Sequence, residues 1–199
     1  MQFVVKRDIL LKSLNFVQGV VEKKNTLPIL SNVLIQLKEK KLSIIATDLD
    51  IVFYDETSDV VISNEGSTTT SAAILYDILR KIPSNSELKF ELKSENKLRL
   101  QSENSDFNLL CLPTDNFPTF TDVFEENEII LENKKFLKLL NKTKISISND
   151  DTRHYLNGVF LHISEGSGRN FLTGVATDSH RLSSSSIEVE ETSNFNPII

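Results

Sequence analysis

The chain has 199 residues, 39% of them hydrophobic and 25% charged, the make-up of an ordinary globular protein of one or two domains. No apolar run is long enough to cross a membrane as a helix, and Met1-Gln2-Phe3-Val4-Val5-Lys6-Arg7 lacks the basic-then-apolar order of a secretory leader. A single cysteine, Cys111, excludes an internal disulfide and fits a reducing, cytoplasmic setting, and the net charge of −6 argues against indiscriminate binding to polyanions.

Gln2–Val5 predicts a short strand. The helix that follows carries Leu10, Leu14, Val17 and Val21 on one stripe, and Lys23-Lys24-Asn25-Thr26 with Pro28 interrupts it. Val33, Ile35 and Leu37 alternate, as do Leu42, Ile44 and Ala46 after the Glu39-Lys40 turn, and a third strand runs through Ile51–Tyr54. The order is β-α-β-β-β. It returns with Thr68–Thr70 as a leading strand and Ser71 as N-cap of a helix that buries Ile74, Leu75, Ile78, Leu79 and Ile82 and stops at Pro83. Strands then run through Leu88, Phe90 and Leu92, through Leu98 and Leu100, and through Phe107, Leu109 and Cys111.

Residues 113–127, with two prolines, three phenylalanines and a growing acidic run, read as a linker. A third unit begins at Ile129–Leu131. Its helix turns Phe136, Leu137 and Leu140 inward and leaves Lys134, Lys135, Lys138 and Lys142 on another face, and strands follow at about 146–149, 157–163, 170–176 and 182–189. The expected organisation is a complete first domain over 1–125, made of two units, and part of a second domain over 126–199.

Two further patterns bear on function. Ile45-Ala46-Thr47-Asp48 returns as Val175-Ala176-Thr177-Asp178, and Leu30 to Leu37 lines up with Leu156 to Ile163, so the chain repeats a supersecondary unit. The charges are also segregated. Segments 6–24, 71–82 and 133–144 hold twelve basic and three acidic side chains, a net +9, which leaves −15 for the remainder. Basic helices on an acidic body can aim a positive face at a polyanion; they can equally be lysines coating solvated faces.

Four runs in register carry a family resemblance. Thr26-Leu27-Pro28-Ile29-Leu30-Ser31-Asn32, Arg153-His154-Tyr155-Leu156-Asn157-Gly158 and Ala176-Thr177-Asp178-Ser179-His180-Arg181-Leu182 resemble the bacterial DNA polymerase III beta subunit, or sliding clamp, family. So does Leu112-Pro113 followed by Asp115-Asn116-Phe117-Pro118, at the exit from the first domain. The resemblance covers essentially the whole chain and implies an α+β DNA-clamp fold of repeated β-α-β-β-β units, with a third domain of the family absent from this sequence. It implies a non-enzymatic processivity factor, without cofactor or metal. Two full-length chains would close head to tail around duplex DNA, with helices lining the hole, and tether the replicative polymerase. Contacts to phosphates would be weak and independent of sequence.

Carried onto this chain, the resemblance implies DNA contacts at Lys24, Asn149, His154 and Tyr155, with Ala73 standing where the family has a basic residue. It implies a cleft for short linear motifs of polymerases and the clamp loader, walled by Arg153, Tyr155, Leu156, Thr177, Ser179, His180, Arg181 and Leu182. Ser179 departs there from a common glycine. Phe107 and Leu109 match a strand the family uses at the subunit interface, although strand alternation by itself reads them as core.

Other classes compete. An interaction module could occupy a loader, a polymerase or an intact clamp without encircling DNA. A metal-dependent hydrolase could be drawn from Asp150, His154, Asp178 and His180, but no oxyanion loop or metal-ligand spacing accompanies them. The recurrence of Thr-Asp in both units reads most simply as turn geometry set by side-chain to backbone hydrogen bonds.

Overall fold

The computed structural model describes residues 1–21, 27–118, 130–150, 152–190, 195, 197 and 198. The chain divides into two compact units, Met1–Phe120 and Thr121–Ile199.

In the first unit, β1 (Gln2–Lys6) leads into α1 (Arg7–Val17), followed by β2 (Asn32–Lys38), β3 (Lys41–Thr47), β4 (Val52–Thr57) and β5 (Val60–Asn64). The pattern then restarts with β6 (Gly66–Ser71), α2 (Ala72–Lys81), β7 (Glu87–Ser94), β8 (Lys97–Ser102) and β9 (Ser105–Leu112). All nine strands join one sheet in the order β4-β3-β2-β6-β9-β8-β7-β1-β5, with every pairing antiparallel. Leu10, Leu14 and Val17 of α1, and Leu75 and Leu79 of α2, pack on inward side chains of the strands, among them Phe3, Val33, Ile35, Leu88 and Phe90. Each such side chain removed from water contributes about 1.5–3 kcal/mol.

The seam between the two halves of the sheet is narrow and polar. Strand β6 meets β9 only at Thr69↔Leu112 and Thr70↔Cys111. The Thr69 hydroxyl donates to the Leu112 carbonyl (2.8 Å) and accepts from Asn32 Nδ2 (3.0 Å), while the Thr70 hydroxyl donates to the Leu110 carbonyl (3.1 Å). Arg7 closes the opposite side. Its Nε donates to the Leu79 carbonyl (2.8 Å), one of the acceptors left over at the end of α2.

The second unit holds α3 (Asn133–Thr143) against a three-stranded antiparallel sheet of β10 (Phe160–Gly166), β11 (Arg169–Thr177) and β12 (Leu182–Val189). Leu172, Gly174 and Ala176 of β11 are buried, and Leu139 is the fully buried anchor of α3. A Cβ built on Gly174 would lie 2.5 Å from Leu139 Cδ2 and 3.2 Å from Val159 Cγ1, so the absence of a side chain there lets the helix seat. Ile198 bridges to Leu161 on the outer edge of β10, with Leu161 N–H donating to the Ile198 carbonyl (2.8 Å) and Ile198 N–H donating back (3.1 Å).

Several expectations change. Strand β5, which pairs with β1, stands outside the expected elements: its apolar run is three residues long, and Val61 points outward as an edge residue. Helix α1 ends at Val17 and closes through a tight turn, Gly19 N–H to the Phe16 carbonyl (2.9 Å), instead of running on; residues 22–26 lie outside the described set. Ile74 is exposed on α2, whereas Ser71 caps that helix as expected by accepting from Ile74 N–H (3.4 Å). On α3 the inward residue is Leu139, and Leu137 faces out. No strand forms at 146–149: a 3-10 turn, Lys144–Ser146, follows α3, the buried Ser146 hydroxyl bonds that of Ser183 on β12, and the Ser148 hydroxyl accepts from Asp150 N–H in a local turn. Ile130 and Leu131 form no strand, and Ile129 lies outside the described residues.

Candidate functional site

The two Thr-Asp turns share one geometry. In the first, the Thr47 hydroxyl donates to the Ile51 carbonyl (2.8 Å) and accepts from Leu49 N–H (2.9 Å), and Asp48 Oδ1 accepts from the N–H groups of Asp50 (3.0 Å) and Ile51 (2.7 Å). In the second, the Thr177 hydroxyl donates to the Arg181 carbonyl (2.7 Å) and accepts from Ser179 N–H (3.1 Å), and Asp178 Oδ1 accepts from His180 and Arg181 N–H (3.0 Å each). The third residue is left-handed in both, Leu49 at φ 87° and Ser179 at φ 79°. These side-chain bonds replace strand pairing at the turn, as the recurrence implies.

The second copy carries additional contacts. Arg181 Nε donates to Asp178 Oδ2 (2.9 Å), and Arg153 Nη1 reaches across to the Ser179 hydroxyl (3.0 Å). Arg153 Nε donates to Asp150 Oδ2 (2.9 Å), and Asp150 Oδ1 accepts from the hydroxyl and N–H of Thr152. Asp178 is held below the usual carboxylate range by the Arg181 and His180 backbone N–H groups, with the Arg181 side chain adding to them. Asp150 is lowered in the same direction, first by the Thr152 hydroxyl, then by the Thr152 N–H and Arg153.

A second tie joins the same two segments, Ser146 Oγ to Ser183 Oγ at 2.6 Å, and Ser148 N–H donates to the Leu156 carbonyl (3.0 Å). The structure therefore brings the Arg153–Leu156 run beside the Thr177–Leu182 run. Tyr155 and Leu182 are 66% and 65% exposed, large apolar surface that no described residue of this unit covers, while Leu156 is half-buried and His180 and Arg181 are exposed. Sequence reasoning missed Asp150 as the tether of Arg153; its position three residues upstream is the available signal.

Of the residues considered for DNA, Asn149, His154 and Tyr155 are exposed in the loop that ends in the 3-10 turn His154–Leu156, and Lys24 lies outside the described residues. On α3, Lys134, Lys138 and Lys142 recur every fourth residue and are exposed, which places them on one stripe flanking the face that Leu139 buries. Lys135 is partly neutralised by Glu132 at 3.0 Å. Arg7 is turned from this role, since its guanidinium serves Leu79, Arg80 and Asp8.

Leu109 is 5% exposed and belongs to the core of the first unit, so its side chain faces inward and Leu110, 83% exposed, takes the outer face. Phe107 is half-buried and lines a recess of about 330 Å³ with Ile74, Ile78, Pro83 and Ser105. Because β6 reaches only the last two residues of β9, the Ser105–Leu110 stretch is paired only on its β8 side among the described residues. The hydrolase constellation does not assemble. Asp150 and Asp178 are committed to turn and arginine contacts, and among the described residues no three His, Cys, Asp or Glu side chains converge on a point that could hold an ion.

Duplicated helix-on-sheet units, a lysine stripe on a helix and turns whose carboxylates are spent on backbone geometry define a protein of the DNA-clamp class. The family model for the N-terminal domain of the DNA polymerase III beta subunit matches residues 1–121, and that for its central domain matches residues 130–199. The chain belongs to the DNA polymerase III beta subunit family. It is 37% identical over 192 residues to the beta sliding clamp of Caulobacter vibrioides and 35% identical over 192 residues to that of Escherichia coli K12, each covering 96% of this chain and 51% of the relative. Among solved structures, a Caulobacter crescentus beta sliding clamp superposes with a TM-score of 0.94 at 36% identity, covering all of this chain and 53% of the other. The beta chain of Streptococcus pneumoniae gives 0.89 at 26% identity, covering 99% of this chain and 53% of the other. The chain spans about half the length of the curated relatives it matches.

Proposed function

We propose that this chain supplies the first domain and the leading part of the central domain of a sliding clamp, a non-catalytic processivity factor that surrounds duplex DNA and tethers the replicative polymerase. The observation that carries the reading is the exposed lysine stripe Lys134, Lys138 and Lys142 of α3, which runs beside the face anchored by Leu139. Such a stripe meets phosphates without reading bases, which suits a protein that must slide. Lys24, Asn149, His154 and Tyr155 join it as DNA contacts. Family membership supports these assignments.

On the same reading, Arg153, Tyr155, Leu156, Thr177, Ser179, His180, Arg181 and Leu182 form one wall of a groove for short apolar motifs of the polymerase and clamp loader. The exposure of Tyr155 and Leu182 supports this. The open edge of β9 with the Phe107 recess is the surface offered to a head-to-tail partner subunit, Leu109 acting from beneath as core. The chain is proposed to act in the cytoplasm, without cofactor.

The test is retention of the protein on circular DNA against the same DNA linearised, with clamp loader and ATP. Retention on circles with loss from linear ends supports ring closure around DNA. Absence of both removes ring closure by this chain and leaves the second reading, a module that binds polymerase or loader peptides without encircling DNA, for which the exposed Tyr155 and Leu182 also speak.

A further inference from the structure

The two Thr-Asp turns allow a comparison within one molecule. Their inner hydrogen bonds are the same, and both place a non-glycine residue in the left-handed region, where side chains other than glycine, asparagine and aspartate are disfavoured. Leu49 is exposed and its side chain takes part in none of the bonds that close its turn. Ser179 differs: its hydroxyl accepts from Arg153 Nη1 at 3.0 Å, from a segment 26 residues away. The same guanidinium is already held through Nε by Asp150. Two acceptors on separate segments fix the plane of a group that would otherwise swing freely, and Nη2 keeps its donors without a partner among the described residues.

We propose that Ser179 is a positioning residue that holds the Arg153 guanidinium beside Tyr155 and Leu182, so that its remaining N–H donors select docked peptides carrying a carboxylate next to their apolar anchors. This rests on the peptide-groove reading given above. The apolar side chains supply adhesion, and the planar fork supplies the choice between a carboxylate and its neutral isostere.

The experiment uses the full chain and two short peptides with leucine and phenylalanine anchors, one ending in a free carboxylate and one in the amide, followed by fluorescence anisotropy. A second readout is the Arg153 Nε–H signal and its relaxation by NMR, without peptide. Wild type should prefer the acid peptide by about three- to tenfold and show an ordered Nε–H. Ser179→Ala and Ser179→Gly should bring the ratio of acid to amide affinity to about one and lose the Nε–H order. Ser179→Gly should do so despite a more stable fold, because glycine relieves the backbone. Ser179→Asn, which tolerates the conformation and restores an acceptor, should retain the preference. A preference unchanged in the alanine and glycine variants, or an Nε–H already disordered in wild type, overturns the proposal. If wild type binds neither peptide, the groove reading falls and selection falls with it, whereas an ordered Nε–H that loosens in Ser179→Ala still upholds the tether.

Discussion

Gly174→Ala tests how the second unit is assembled. The new methyl would lie 2.5 Å from Leu139 Cδ2 and 3.2 Å from Val159 Cγ1, both inside normal carbon–carbon contact. Leu139 is fully buried and its helix rests on this strand, so the leucine has to change rotamer or α3 has to lift. Overpacking of this kind costs about 1–3 kcal/mol, which for a unit of this size lowers the melting temperature by roughly 5–20 °C. Leu139→Ala alone should cost about 2–5 kcal/mol through the cavity it leaves. In the double variant the methyl added at position 174 enters that cavity, so the two changes together should destabilise less than their sum by about 1–2 kcal/mol. Urea unfolding, with hydrogen exchange read on α3 and β11, measures all four corners of the cycle. A Gly174→Ala variant as stable as wild type, or strictly additive costs, would refute the claim that a bare backbone at position 174 is what seats α3.

Three other outcomes are expected. Replacing Lys134, Lys138 and Lys142 one at a time with alanine should each weaken duplex binding and reduce the salt slope of log K by about 0.9 for every phosphate that is no longer neutralised; Lys135→Ala should do less because Glu132 already offsets its charge, and a flat response at the three stripe positions would remove them from the DNA face. Burial pushes the Cys111 thiol above its ordinary value, so labelling by a thiol reagent in native buffer should be far slower than in urea, and comparable rates would show that the core around β9 opens freely. The lowered Asp178 stabilises the turn above the ordinary carboxylate value of 3.8 and loses that contribution as pH falls from there through its own lower value. His180 and Arg181 amide exchange should therefore be level from neutral pH to about 5 after correction for intrinsic rates and rise below 3.8, while Asp178→Asn should abolish that step.

Periodicity made most of the elements legible. The stripe of Leu10, Leu14 and Val17 and the alternation through β2, β3, β7 and β8 need only local geometry, and the echo of Thr47-Asp48 in Thr177-Asp178 located both turns. The failures share a cause: they depend on what lies opposite. Ile74 and Leu137 are as apolar as their buried neighbours, and only the assembled surface shows that they face outward. Ser146 and Ser148 sit where alternation suggested a strand, but the Ser146 hydroxyl bonds that of Ser183 on β12, the Ser148 hydroxyl accepts from Asp150 N–H, and Ser148 N–H donates to the Leu156 carbonyl, contacts that no local pattern announces. Strand β5 is held by β1, distant along the chain, with Val60 opposite Val5, and its short apolar run gives little local sign of that pairing. At the candidate site, the cluster of Arg153 with Tyr155 to Leu182 was visible through family resemblance, whereas the bonds from Arg153 to Asp150 and Ser179 are three-dimensional facts.

The repeated turn has a consequence for how such a chain can diversify. Its path is written by the first two residues, whose side chains bond inward to the backbone, so that the third need only accept a left-handed backbone and the side chains of the next three positions are released from closing the loop. One copy fills them with Leu49, Asp50 and Ile51, the other with Ser179, His180 and Arg181. A loop that carries its own template can change its chemical vocabulary while its grammar stays fixed. Duplication then yields one copy that remains a corner of the scaffold and another free to acquire a dialect for partners.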